Sequence, residues 1–422
     1  MEVTDVQYKE SEIGKIPLDW EVRRLSECCK KITDGTHDTP KPVYTGVPFL
    51  TAIHVKQNYI DYKNCYFLPK EVHEVIYKRC NPEYGDVLMV NIGAGVATTA
   101  LIDVDFEFSL KNVALLKPNR NIISGAYLHH YQSYVKQMIA DTITSGGAQP
   151  FLSLKQIGDL QIALPTKSEQ TAIATALSDT DALIENLEKL IAKKRNIKQG
   201  VMQELLTGRK RLEGFSTEWR YSTLSKFVAD KKFAIVDGPF GSQMKVQDFV
   251  EQGIPIVEME HLKNKFLEPD KLDRYITHKK FEELIRSSVF PDDIIISKTG
   301  SLGYISIVPS SIEKALITSR LAKITLDKKK ANISFVFQCL ARLREIEYWQ
   351  RTAQGGTMLI LSIANISHAP IPDISIYEQK EIADILDTMD NDIERLEQIL
   401  NKYNMIKQGM MQALLTGKIR LV

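Results

Sequence analysis

The residues nearest to a catalytic constellation are Asn81 to Tyr84, N-P-E-Y, and Val90 to Gly95, V-N-I-G-A-G. The first is one substitution from the N-P-P-Y signature of adenine methyl transfer, and the second has the form of a glycine turn for S-adenosylmethionine. That chemistry places the two motifs at the ends of different parallel strands, and parallel neighbours need a crossover of a dozen or more residues. Only a handful separate them here. The matching stretch further along reads V-F-P-D-D (Val289 to Asp293) and K-T-G-S-L-G (Lys298 to Gly303), which keeps the turn and loses the Asn and Tyr. A self-contained methyltransferase is therefore the minor reading. The eight histidines include no H-E-x-x-H, no Cys/His group has zinc spacing, and no P-loop or G-x-S-x-G occurs. His54 and His261, at matching positions after a strand, read as structural. The expectation is a chain without catalysis, cofactor or metal.

Binding chemistry is better represented. Thr36, His37 and Lys41 stand against Ser242, Gln243 and Lys245 in matching loops; Asn91 stands against Lys298, Thr299 and Ser301; Gln149, Gln354 and Thr357 lie in two double-glycine loops. Lys neutralises phosphate, Asn and Gln can pair with adenine, Ser and Thr bond phosphate or base, and glycine admits close backbone approach. These are the candidate DNA-binding residues. The runs Lys193 to Arg195, Arg209 to Arg211 and Lys328 to Lys330 read as solvated basic faces.

The elements that must position these residues come from a repeat. E-Q-T-A-I-A-T-A-L (Glu169 to Leu177) returns as E-Q-K-E-I-A-D-I-L (Glu378 to Leu386), and K-Q-G-V-M-Q-E-L-L-T-G (Lys198 to Gly208) as K-Q-G-M-M-Q-A-L-L-T-G (Lys407 to Gly417), both at an offset of 209 residues. Each copy opens on a capping box, T-K-S-E at Thr166 to Glu169 and S-I-Y-E at Ser375 to Glu378. Apolar residues then recur at three- and four-residue spacing, Ile184, Leu187, Ile191, Val201 and Leu205, and Ile393, Leu396, Leu400, Tyr403, Met410 and Leu414. Lys194 and Lys198 interrupt the first seam. Each helix ends at a Gly suited to its cap. A helix of nearly forty residues is a rod of roughly 55 to 60 Å, too long for one small core, so the two rods are expected to pair antiparallel in an internal pseudo-twofold arrangement.

The stretches between the helices also align. D-G-T-H (Asp34 to His37) meets D-G-P-F-G-S (Asp237 to Ser242), and G-V-P-F-L-T-A-I-H (Gly46 to His54) meets G-I-P-I-V-E-M-E-H (Gly253 to His261). Short strands broken by Gly and Pro, with helices at Ala126 to Ile139 and Ser334 to Trp349, make each an α+β domain. The expected boundaries are 1–164 and 211–373 for the globular domains, with 165–210 and 374–422 for the helices. A chain of 422 residues with 44% hydrophobic and 25% charged residues is ordinary globular material. The five cysteines fit no disulfide framework and read as reduced packing residues. Without an apolar span or signal peptide the expected location is the cytoplasm, away from membranes. A formal charge of +1 confines any DNA contact to local patches.

Taken together, I-G-K-I-P-L-D-W-E-V (Ile13 to Val22), the D-G loops, P-x-x-x-E-Q at Pro165 to Gln170, the K-Q-G-x-M-Q-x-L-L-T-G endings and G-K-I-R-L (Gly417 to Leu421) resemble the DNA specificity subunit of type I restriction-modification systems over nearly the whole chain. Ile374 stands where the first helix entry has Pro165. The resemblance implies two target recognition domains, each reading half of a bipartite double-stranded DNA site, separated by two helices that set the spacer. It also implies docking of two modification subunits that supply S-adenosylmethionine and methylate adenine, with restriction subunits in the full complex. Leu183, Leu190, Ile197, Ile399, Ile406 and Met411 are the candidate partner-docking residues. A protein-binding scaffold with paired helices remains the alternative.

Overall fold

The computed structural model describes residues 7–143, 150–356 and 359–421. The chain divides into two compact units, residues 1–189 with 397–422 and residues 190–396, so each unit takes one globular region and half of each long helix.

In the first unit the strands are β1 (Cys29–Asp34), β2 (Val47–Thr51) and β3 (Tyr66–Leu68), then helix α1 (Lys70–Cys80), β4 (Val87–Met89), β5 (Thr99–Leu101), β6 (Ser109–Lys111) and β7 (Ala114–Pro118), helix α2 (Gly125–Ile143) and the long helix α3 (Lys167–Leu205). One antiparallel sheet has the order β5-β4-β7-β1, and a second has the order β6-β2-β3 with β2 and β6 parallel. In the second unit β8 (Ile235–Asp237), β9 (Ile254–Val257), β10 (Ile294–Ser297), β11 (Ile305–Ile307), β12 (Ala315–Ile317) and β13 (Leu321–Ile324) precede helix α4 (Ile333–Glu345) and the long helix α5 (Ile376–Leu414). Its four-stranded sheet runs β8-β13-β10-β11, and β9 pairs parallel with β12. The two four-stranded sheets match strand for strand and the parallel pair recurs, while the sheet that holds that pair has three strands in the first unit and five in the second. Because β4 is antiparallel to both neighbours, the parallel crossover that a methyltransferase site needs between N-P-E-Y and V-N-I-G-A-G is missing at that sheet.

The long helices are both 39 residues and begin 209 residues apart. Their apolar seams are buried into the cores of their units: Ile173 and Leu177 with Leu414 and Leu415 in the first, Met202 and Leu205 with Ile382 and Leu386 in the second. Within each unit the helix segments run antiparallel. Thr180 meets Met410 and Asp181 meets Lys407 in the first unit. In the second, Lys194 lies 3.0 Å from Asp392 and Lys198 2.5 Å from Asp390. The lysines that interrupt the apolar rhythm are thus seam residues with carboxylate partners. Lys198–Asp390 and Lys407–Asp181 are the same pair 209 residues apart.

The capping boxes form only in half. Glu169 N donates to Thr166 Oγ1 at 3.3 Å and Glu378 N to Ser375 Oγ at 3.2 Å. The glutamate side chains turn elsewhere. Glu169, fully buried, receives Trp20 Nε1 at 3.1 Å and Arg420 Nε and Nη2 at 2.5 and 2.8 Å. Glu378 receives Trp219 Nε1 at 3.2 Å and Arg211 at 2.9 and 3.0 Å. A bidentate guanidinium outcompetes a single backbone N–H for a buried carboxylate. Arg211, read as part of a solvated basic face, is instead one of these two clasps. Gly208 and Gly417 follow at φ 72° and 70°, the left-handed conformation of a helix end.

All five cysteines are unpaired. Burial pushes the Cys28 and Cys80 thiols up to about 11, which keeps them protonated. His54 and His261 each accept a backbone N–H at Nδ1, from Thr51 at 2.9 Å and Glu258 at 3.0 Å, closing a one-turn helix, which is a structural role. Among the described residues no helix is long and apolar enough to cross a membrane.

Candidate nucleic-acid interface

The candidate loops emerge from one edge of each four-stranded sheet. In the first unit Ala114 of β7 pairs with both Asp34 and Met89, so β1 and β4 end in register. Asp34 leads into Gly35, Thr36 and His37; Met89 leads into the Asn91 turn. Gly35 is required because the next sheet passes beneath it: a Cβ there would stand 1.9 Å from Leu110 O. The loop is then fastened to that sheet by Thr36 N donating to Leu110 O at 2.8 Å and Asn112 N to Thr36 O at 3.3 Å. His37 Nδ1 lies 2.9 Å from Asn112 Oδ1, and the Asp34 carboxylate receives Arg79 Nη2 at 2.7 Å. The Asn91 turn is joined to the end of the double-glycine loop, with Leu152 N donating to Asn91 O and Gly93 N to Pro150 O, both at 2.8 Å.

The second unit repeats the plan with other side chains. Asp237 and Ile296 both pair with Ala322, and a Cβ on Gly238 would stand 2.1 Å from Thr318 O. Where the first unit has Asn91, the second has Lys298, whose Nζ lies 3.0 Å from Asp237; Arg286 reaches the same carboxylate at 2.5 Å. Burial alone raises the Asp237 carboxyl, but Lys298 and Arg286 outweigh it and hold it below its ordinary value. Leu361 N donates to Lys298 O at 2.8 Å, and Ile360 bridges to both Thr299 and Gln354. The Lys298 turn and the trailing loop are thereby one surface. Ser297 Oγ donates to Ser301 O at 2.6 Å and closes that turn.

Several sequence candidates are brought together and others are not. Thr36, His37 and Asn91 share one sheet edge, as do Lys298, Thr299, Ser301 and Gln354. Thr36 and Asn91 are buried, and Asn91 Oδ1 has no hydrogen-bond partner. Ser242, Gln243 and Lys245 are exposed on the loop beyond Gly238, where Gln243 Oε1 accepts Phe240 N at 2.9 Å. Lys41 is exposed four residues past His37. Gln149 and Thr357 lie outside the described residues. Arg79, Asn112, Arg286 and Arg320 were not singled out by the sequence. Only their spacing from the D-G loops, read across the two units, could have pointed to them.

N-P-E-Y is the turn out of α1. Asn81 caps the helix in the left-handed conformation, its Nδ2 bonds Glu83 at 3.1 Å, and its carbonyl accepts Lys117 Nζ at 2.8 Å. Its polar atoms are used in folding. Among the described residues no group of three or more His, Cys, Asp or Glu is placed to hold a metal ion. Of the candidate docking residues, Leu183, Leu190, Ile197 and Ile406 are exposed on the long helices, Ile399 is half-buried, and Met411 packs on the core of the first unit.

Two matched α+β units, each presenting a loop cluster at one sheet edge and each packed on long-helix segments, define a tandem-repeat protein. The chain belongs to the family described as the type I restriction modification DNA specificity domain, which it matches over residues 17–194 and 243–404. It is 28% identical to the protein assigned as the MjaX specificity subunit of a type I restriction enzyme in Methanocaldococcus jannaschii, over 98% of this chain and 97% of that one. The MjaVIII specificity subunit of the same organism is 24% identical, with 98% and 96% covered. In fold the chain is similar to the S subunit of a type I restriction-modification system from M. genitalium, at a TM-score of 0.62 and 16% identity, with 94% and 96% covered.

Proposed function

We propose that this chain is the DNA-reading subunit of a type I restriction-modification complex, with each unit reading one half of a bipartite double-stranded site. The observation that carries this reading is the matched pair of loop clusters on equal scaffolds: Thr36, His37 and Asn91 in one, Ser242, Gln243, Lys298 and Thr299 in the other. Equal frames with unequal polar side chains suit two half-sites of different sequence. Lys41 and Lys245, both exposed, supply phosphate contacts, and Gln354 extends the surface along the trailing loop. The long helices set the spacer. Apolar residues on them, Leu183, Leu190 and Ile197 at heptad spacing with Ile399, Ile406 and Met411, dock two modification subunits, which bring S-adenosylmethionine and the methyl-transfer chemistry; restriction subunits join that core. The chain itself holds no cofactor and carries out no step.

Footprinting of the chain in complex with its modification subunit tests this. Two protected stretches separated by an unprotected spacer are expected. A stable complex that protects no DNA would favour the scaffold alternative and overturn the proposal.

A further inference from the structure

Arg320 stands between two of the candidate loops of the second unit. Gly238 N donates to Leu321 O at 3.0 Å and Lys298 N to Arg320 O at 2.8 Å, so the turn between β12 and β13 is bonded on one side to the D-G loop and on the other to the strand-end turn. In the first unit the equivalent bond runs from Gly35 N to Val113 O. Val113 and Leu321 are both fully buried and play the same part. Between the equivalent paired residues Leu110 and Ile317 and that buried residue, the first unit has Lys111 and Asn112, and the second has Thr318, Ser319 and Arg320. The second turn is therefore one residue longer, and it carries an arginine.

Two neighbouring cations of this edge are committed, Lys298 and Arg286 both to Asp237. Arg320 is exposed and makes no hydrogen bond through its guanidinium and no ion pair among the described residues, and the same holds for the exposed carboxylate of Glu260. Both line a cleft of about 360 Å³ together with Glu258, Met259, Thr318 and Ser319. Glu258 is held by Arg274 at 2.7 Å, which leaves Glu260 as the uncommitted acceptor. In the first unit the position of Glu260 is Ile53, exposed and apolar. A planar guanidinium matches guanine O6 and N7 through two parallel N–H donors, and a carboxylate accepts from cytosine N4.

We infer that Arg320 and Glu260 read a G·C pair in the major groove, in the half-site of the second unit alone. The inference rests on the DNA-reading function proposed above and names a specificity determinant within it. Methylation sequencing of DNA from cells co-expressing the full chain and its modification subunit tests it, with wild type, Arg320→Lys, Arg320→Ala and Glu260→Gln compared and co-purification with the modification subunit as the folding control. Arg320→Lys and Arg320→Ala are expected to make one G·C position of one half-site degenerate, with discrimination there falling about 5- to 150-fold, while the other half-site and the spacer stay as they are. Glu260→Gln loosens the same position. An unchanged motif in Arg320→Lys with uniformly weaker methylation in Arg320→Ala would mean a phosphate contact and would overturn the inference, as would an unchanged motif in both. A wild-type chain that directs no split motif would instead strike the DNA-reading proposal itself.

Discussion

Arg420→Met removes a guanidinium from a buried carboxylate while keeping an apolar stem beside Trp20. Glu169 is fully buried, and Arg420 supplies two of its three side-chain donors. Charge-assisted bonds contribute about 1.5 to 3 kcal/mol each, and breaking a buried ion pair on one side costs about 3 to 5 kcal/mol because the other charge is stranded. Trp20 Nε1 remains, so a loss of about 4 kcal/mol is expected. It should be confined to the first unit, since the second has its own clasp at Arg211 and Glu378. Native-state hydrogen exchange reads this directly: amides in the first turns of α3 and in Gln161–Leu164 should lose about three decades of protection, while those at the start of α5 keep theirs. Adding Glu169→Gln should recover most of the loss by removing the stranded charge. A loss under about 1 kcal/mol, an equal loss in both units, or no recovery in the double variant would refute the clasp as an energetic unit.

Burial lowers His129 to about 3 and His130 to about 4, so both are neutral in the folded first unit. A depressed folded value means stability is complete above the unfolded value of about 6.5 and falls as pH drops from there toward 3, by about 2 kcal/mol per histidine at pH 5. Denaturant titration at pH 7 and pH 5 should show this in the first unit; in the second unit Gln338 and Phe337 occupy the matching helix positions. Gly35→Ala and Gly238→Ala each force a backbone shift, because the new methyl meets a carbonyl oxygen at 1.9 or 2.1 Å, and each should abolish footprinting of one half-site while the other persists. Inserting one heptad into both α3 and α5 lengthens each by about 10.5 Å, which predicts a spacer longer by about three base pairs in the methylated motif.

The repeat, the long helices and their glycine ends were legible because each is a local signal repeated at a fixed offset. The D-G loops were legible too, since only glycine tolerates the crossing of Leu110 or Thr318 beneath it. Contacts made over distance were not. The capping-box reading of Glu169 considered partners three residues away, whereas the donor that wins, Arg420, is 251 residues along the chain. Lys198 looked like a flaw in an apolar seam because its partner, Asp390, belongs to the other helix. At the candidate interface, residue type proposed Thr36, Asn91 and Lys298, and the fold places Thr36 with Asn91, and Lys298 at the position matching Asn91. It could not find Arg79 or Arg286, whose roles come from the aspartates they pair with, Asp34 buried and Asp237 half-buried, nor Arg320, whose turn gains meaning only beside its shorter counterpart.

Single-molecule methylation sequencing of DNA from cells co-expressing this chain and its modification subunit, against cells lacking the chain, tests the central claim most directly. The account predicts a new split motif with adenine methylated on opposite strands of two unlike half-sites; no new motif, with both proteins soluble and associated, would contradict it.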